Sequence, residues 1–119
     1  MIDLAEHQDR GRIPLKEIAE RQGISKKYLE IIIKELVNQK MVSGVGGRGG
    51  GYVLCRRPEE YTVGEILELM EGSLATVACL AKSTEPCPRS TNCKTLPMWA
   101  EFDQIVRSYF YSKSLADLL

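Results

Sequence analysis

The stretch that decides the fold reads Ile18-Ala19-Glu20-Arg21-Gln22-Gly23-Ile24-Ser25-Lys26-Lys27-Tyr28-Leu29-Glu30-Ile31-Ile32-Ile33-Lys34-Glu35-Leu36-Val37-Asn38. Its second half is patterned as an amphipathic helix, because Leu29, Ile32, Ile33, Leu36 and Val37 recur at i, i+3, i+4, i+7 and i+8 and line one face. Opposite them stand Lys27, Glu30, Ile31, Lys34 and Asn38, long hydrogen-bonding side chains around one β-branched apolar residue. The first half belongs to a shorter helix. Pro14 suits its first turn, Leu15, Ile18 and Ala19 supply its buried stripe, and Gly23 provides the left-handed residue that ends it. Ile24 alone separates that glycine from Ser25, a strong N-cap. Two short helices across a tight glycine-containing turn predict a helix-turn-helix, whose second helix offers its outer face to a major groove.

Upstream, Met1 to His7 carries Ile2, Leu4 and Ala5 at helical spacing with no capping residue before them, so the chain is expected to begin inside a helix. Downstream, Met41–Val45 and Tyr52–Cys55 are β-prone runs on either side of Gly46-Gly47-Arg48-Gly49-Gly50-Gly51, which predicts a hairpin. Directly after a recognition helix, such a hairpin is a wing. Thr62 and Glu65 form a capping-box pair before Ile66, Leu67, Leu69 and Met70, and a fourth helix is expected to reach about Glu71, with Gly72 after it. Residues 73–95 keep no period and hold Pro86, Pro88, Ser90, Thr91 and Asn92, the composition of a loop. Leu96, Trp99, Phe102, Val106, Tyr109 and Phe110 then mark an aromatic-rich last helix. That stripe has more apolar area than so small a core can cover, which predicts a two-fold dimer seam. The expected class is mainly α with a small β-hairpin. Residues 1–72 are assigned to a winged helix-turn-helix, 73–95 to a cysteine-bearing loop and 96–119 to a C-terminal dimerisation helix and tail.

At 119 residues, 44% apolar and 27% charged, the chain can bury one modest core and has the composition of a soluble protein. Its longest mostly apolar stretch, Leu74 to Ala81, is too short to span a bilayer. No basic, apolar, small-residue opening suggests secretion, so a cytoplasmic, reducing location is expected. Sixteen Lys and Arg balance sixteen Asp and Glu, yet residues 1–57 hold eleven basic against seven acidic and residues 58–119 five against nine. A basic front and an acidic rear predict that the front meets a polyanion.

The predicted duplex contacts follow from that asymmetry. Glu30 can accept from a cytosine amino group, Lys27 and Lys34 can reach guanine or phosphate, and Ile31 can pack on a thymine methyl. Ser25, Lys26 and Tyr28 sit at the helix start, where base contacts concentrate. Arg48, among glycines that let the backbone come close, reads as a minor-groove probe with Arg56 and Arg57 nearby. The bland alternatives are a solvated helix face and a flexible hairpin tip. A phosphate-binding P-loop fits poorly, since the run lacks a Gly-Lys-Ser/Thr ending and leads into a strand. His7, the one histidine, has no catalytic partner at a recognisable spacing and reads as a surface residue, so no enzyme site is expected.

Cys79, Cys87 and Cys93 follow the pattern Cys-x7-Cys-x5-Cys, which lets three thiolates converge on one metal centre. Zinc sites favour closer pairs, which are absent; reduced structural cysteines and a thiol switch remain open at this point. Cys55 lies apart, on the predicted second wing strand, and reads as a packing residue.

Together, Ile18–Ser25, Tyr28-Leu29-Glu30, Gly49-Gly50-Gly51-Tyr52, Thr62-Val63-Gly64-Glu65-Ile66 and three spaced cysteines ahead of a Trp-bearing helix resemble the Rrf-type bacterial transcription regulators. These are the IscR-like proteins and their relatives RirA, NsrR and CymR. The resemblance covers nearly the whole chain in the same order. It implies a homodimer of winged heads joined through the long helix, a pseudo-palindromic double-stranded DNA operator and no membrane partner. It implies also an iron-sulfur cluster on Cys79, Cys87 and Cys93, [2Fe-2S] favoured over [4Fe-4S]. Glu85, a partner-subunit carboxylate, a small thiol or solvent would complete it. The implied function is regulation, as a repressor, of iron-sulfur biogenesis or iron homeostasis. A same-fold regulator sensing nitric oxide, thiol redox state or cysteine metabolism through a protein partner is the nearest alternative, and a small iron-sulfur carrier or electron-transfer protein is one of another class. Three positions depart from the family pattern. A basic first-helix segment typical of the family lies before the position of Met1, a minor-groove arginine aligns with Gly46, and a cluster-ligating histidine aligns with Leu96, which cannot ligate.

Overall fold

Residues 15–38 fold as the expected helix pair. The computed structural model describes residues 1–45, 49–75 and 92–119. It contains α1 (Ile2–Glu6), a 3-10 turn (Gln8–Arg10), α2 (Leu15–Gln22) and α3 (Lys26–Asn38). The hairpin strands β1 (Val42–Val45) and β2 (Gly51–Leu54) and a second 3-10 turn (Pro58–Glu60) follow. After them come α4 (Val63–Glu71), α5 (Leu96–Ser112) and a last 3-10 turn (Ala116–Leu118). The fold is mainly helical with one antiparallel hairpin, as the sequence pattern predicts. Packing divides it into two compact units, Met1–Tyr61 with Leu115–Leu119, and Thr62–Ser114. Among the described residues no helix is long and apolar enough to cross a membrane.

In the first unit, α2 stops where Gly23 turns left-handed at φ 64°. The Ile24 N–H then donates back to the Ala19 carbonyl at 3.1 Å and the Gly23 N–H to the Glu20 carbonyl at 3.4 Å, the paired bonds that close a helix end. Ser25 restarts the chain by accepting the Tyr28 N–H on its hydroxyl at 3.3 Å. The core gathers Leu4, Ala5, Ile13, Leu15, Ile18, Ala19, Leu29, Ile33, Leu36, Met41 and Val42. Ile32 is half-buried and Val37 lies at the exposed margin, so the buried stripe of α3 is narrower than its sequence period suggests. The helix ends on Lys40, which takes the left-handed conformation at φ 59° and lets the Met41 N–H donate to the Leu36 carbonyl at 2.9 Å.

The hairpin pairs Val42 with Leu54, Ser43 with Val53, Gly44 with Tyr52 and Val45 with Gly51. Ile13 adds a one-residue third strand: it exchanges N–H···O bonds of 2.9 Å with Tyr52 in both directions. That approach needs Gly51, since a Cβ there would stand 2.7 Å from the Ile13 carbonyl carbon and oxygen. Tyr61 locks the base of the hairpin. It is fully buried, its hydroxyl donates to the Met41 carbonyl and accepts the Cys55 and Arg56 N–H groups at 3.1 Å each. β2 therefore ends at Leu54, and the side chain of Cys55 turns outward to solvent instead of packing in the hairpin as expected. The tail returns here as well, the Leu115 N–H donating to the Tyr61 carbonyl at 2.9 Å.

The same unit holds an ionic cluster. Asp3, almost wholly buried, accepts from Arg21 Nε at 3.0 Å and Nη2 at 2.7 Å and from Gln22 Nε2 at 2.9 Å. These bonds, led by Arg21, hold its carboxyl below the usual range against the opposing effect of burial. Glu17, between Arg10 and Arg21, is held down to about 2. His7 is half-buried, not a bare surface residue, and its Nδ1 donates to the Asp3 carbonyl at 2.7 Å.

In the second unit, Thr62 and Glu65 make the predicted capping box, with reciprocal bonds of 3.0 and 3.1 Å. Gly72 ends α4 left-handed. Within this unit α4 packs on α5. Arg107 on α5 reaches Glu68 on α4 at 2.6 Å and Asp103 at 2.9 Å, Tyr111 donates to Glu68 at 2.7 Å, and its ring lies against Gly64, where a Cβ would be 2.4 Å away.

Candidate nucleic-acid interface

The outer face of α3 is open. Ser25, Lys26, Lys27, Tyr28, Glu30, Ile31, Lys34 and Asn38 are all exposed, and Ile31 shows 68% of its surface. Set among Lys27, Glu30 and Lys34, it gives the face an apolar contact point between long polar side chains. Ser25 accepts the cap bond and still has its hydroxyl proton to donate.

The hairpin lies beside this face and bounds two open grooves. One is walled by Lys16, Lys26 and Glu30 with Val45, Gly50 and Tyr52. The other is walled by Glu30, Lys34 and Asn38 with Val37, Gly44 and Tyr52. The structure thus brings Lys26, Glu30 and Lys34 of the predicted set to the flanks of the hairpin. Lys27 and Tyr28 lie on the exposed first turn without entering either groove's lining. Arg48 lies outside the described residues. Lys16 and Tyr52 are not among the predicted contacts: Tyr52 reads from sequence as a strand residue, and Lys16 gives no periodic signal, its place depending on how α2 meets the hairpin.

Several arginines of this unit are already engaged. Arg10 and Arg21 are held by Glu17 and Asp3, and Arg56 lies over the Tyr61 ring at 4.4 Å while donating to the Glu60 carbonyl at 3.0 Å. Arg57, which with Arg56 adds basic charge near the wing, stands 3.9 Å from Glu60. The lysines at 16, 26, 27 and 34 make no ion pair with any described residue, so the positive charge offered at this face is theirs.

Of the predicted cluster ligands, Cys93 alone is described; Cys79, Cys87 and the candidate Glu85 lie outside the described residues. Cys93 is half-buried just ahead of α5, its Sγ 3.4 Å from the Thr95 hydroxyl. The predicted seam residues divide between two faces of α5. Trp99, Val106 and Phe110 are half-buried on the side of Asp103, whereas Phe102 and Tyr109 are 46% and 58% exposed. Met98 and Ile105 join the exposed pair, these four falling within about 60° of one another on the helix wheel. Leu96 is half-buried at the helix start.

Comparison with known proteins fits this geometry. A family model, Rrf2, described as "Iron-dependent Transcriptional regulator", matches residues 1–119. The HTH-type transcriptional regulator IscR of Aliivibrio salmonicida is 36% identical over 119 residues, all of this chain and 70% of that protein. Among solved structures, IscR of T. potens superposes with a TM-score of 0.75 at 33% identity, over 98% of this chain and 75% of its own. CymR, the global cysteine regulator of B. subtilis, does so with a TM-score of 0.76 at 32% identity, over 98% and 84%. These relatives are named as regulators, not enzymes. The resemblance read from the helix-turn-helix, hairpin and capping-box motifs is therefore borne out, and the chain belongs to the Rrf2 family of transcriptional regulators.

Proposed function

We propose that this chain is a cytoplasmic repressor that binds a pseudo-palindromic operator as a homodimer and reads iron-sulfur status through Cys79, Cys87 and Cys93. The observation that carries the DNA half is the open face of α3, where Lys26, Lys27, Glu30, Ile31 and Lys34 stand exposed beside the hairpin. Ser25, Tyr28 and Arg48 complete the proposed contact set. The exposed stripe of Met98, Phe102, Ile105 and Tyr109 on α5 supports a helix-to-helix dimer seam, since a monomer would leave that stripe in water.

The sensing half rests on donor chemistry. Three thiolates on one segment are the ligand set of an iron-sulfur cluster, and the Thr95 hydroxyl beside Cys93 suits the hydrogen bonding such sulfurs take. A bound cluster would supply a redox-sensitive centre, [2Fe-2S] by preference, tying the cysteine segment to the start of α5. The coupling required is modest, about 1–3 kcal/mol between cluster occupancy and operator affinity. Anaerobic reconstitution tests this: visible absorbance with acid-labile sulfide, lost in Cys87→Ser, is expected, and their absence from the parent protein overturns the sensing reading while leaving DNA binding intact. The likeness to CymR favours one second reading, control by cysteine metabolism through a protein partner. A response of that kind persists in Cys87→Ser.

A further inference from the structure

We infer that Tyr52 is a direct contact to the DNA backbone, donating its phenol hydroxyl to a phosphate oxygen of the strand that passes between the hairpin and α3. The inference rests on the reading of this face as a DNA interface and assigns to it a residue that no charge pattern marks.

The backbone of Tyr52 is held from both sides. It pairs with Gly44 in the hairpin and exchanges two 2.9 Å bonds with Ile13, so its position is set by two neighbouring segments at once. Its ring lies lengthwise over Gly44: a Cβ on that glycine would stand 2.4 Å from Cδ1, 2.3 Å from Cε1 and 3.2 Å from Cζ. The ring therefore carries the hydroxyl past the glycine, as the wall that the two grooves beside α3 share. Lys16 and Lys26 flank one side of that wall and Lys34 and Asn38 the other, with Glu30 on α3 lining both. Among the described residues the hydroxyl has no hydrogen-bond partner. A half-buried tyrosine usually satisfies its hydroxyl, and the three lysines outnumber Glu30 in the two grooves it separates, which favours an anionic backbone as the missing partner. Tyrosine hydroxyls are ordinary donors to phosphate in protein–DNA interfaces and carry no sequence information there.

This assignment has a signature that separates it from a lysine contact. A neutral donor releases no counterion, whereas each lysine on a phosphate adds about one unit to the slope of log affinity against log salt. The test is anisotropy titration of the full chain on a mixed-sequence duplex across a series of salt concentrations. Tyr52→Phe keeps the ring over Gly44 and is expected to weaken binding about fivefold per bound subunit at every salt concentration, with the slope and the melting temperature unchanged. Lys34→Ala in parallel should weaken binding and flatten the slope by about one. Binding by Tyr52→Phe equal to the parent overturns the contact, as does a loss accompanied by a changed slope or a lowered melting temperature. If the parent itself shows no salt-dependent binding, the DNA reading fails and takes this inference with it; normal parent binding with an indifferent Tyr52→Phe sinks the inference alone.

Discussion

Replacing Tyr61 by Phe isolates three hydrogen bonds made by one oxygen. The hydroxyl donates to the Met41 carbonyl and accepts from the Cys55 and Arg56 N–H groups at 3.1 Å each. Phenylalanine fills the same volume and leaves the ring beneath the Arg56 guanidinium, 4.4 Å from its centroid, so packing is nearly conserved. The loss is not three full bonds, because the Cys55 N–H also lies 3.3 Å from the Met41 carbonyl and those two groups retain each other. What disappears is the donor bond to Met41 and the acceptor bond from Arg56, at about 1 kcal/mol each. Tyr61→Phe is therefore expected to cost about 2 kcal/mol, and Tyr61→Leu about 4 kcal/mol, since the second change also opens space where the ring sat. In urea unfolding with a slope of about 2 kcal/mol per molar, the midpoint for Tyr61→Phe should fall by about 1 M with the slope unchanged. A midpoint shift below about 0.2 M would refute the claim that this hydroxyl ties the hairpin base together.

Three further outcomes are expected. Gly51→Ala forces a methyl to 2.7 Å from the Ile13 backbone at φ 156° and should destabilise the protein by about 3 kcal/mol, with early loss of hydrogen-exchange protection at the Ile13 and Tyr52 amides. Lys40→Gly relieves a left-handed lysine and should raise stability by about 0.5–1 kcal/mol, read as a higher urea midpoint. Asp3, held below the ordinary aspartate value of 3.8 chiefly by Arg21, contributes stability that is present in full above that value and is lost as pH falls towards its lowered folded value. Asp3→Asn should cost about 2 kcal/mol at pH 6, and its deficit against the parent should shrink as both are titrated down through pH 3; a deficit that stays constant counts against the Arg21 pairing.

Most of the fold is legible in the sequence because its signals are local. Gly23, Ser25, Thr62, Glu65 and Gly72 act on backbone groups within a few residues of themselves, so their effect can be read in isolation. The features that escaped depend on partners far along the chain. Tyr61 finds Met41 twenty positions earlier, Asp3 finds Arg21 eighteen positions later, and Ile13 pairs as a single residue that shows no strand period. The last helix is instructive in another way. Its apolar residues look continuous in sequence, yet α4 takes one face and leaves Phe102 and Tyr109 exposed, a division that only the packing of neighbours can impose. The binding face was anticipated on α3 because helical period exposes it, whereas Lys16 and Tyr52 join it only once α2, α3 and the hairpin meet.

The glycine beneath the Tyr52 ring has an evolutionary consequence. Sliding β1 by one residue would turn Val42, now 1% exposed, out of the core, because successive strand side chains face opposite ways. Sliding it by two in the other sense would drive the branched Val42 side chain into the space the ring occupies. Alignment of the strands is thus pinned within the ladder itself, by one small residue facing one large one. A lineage that enlarges position 44 is accordingly expected to trim position 52 in step, so the two should change together or not at all.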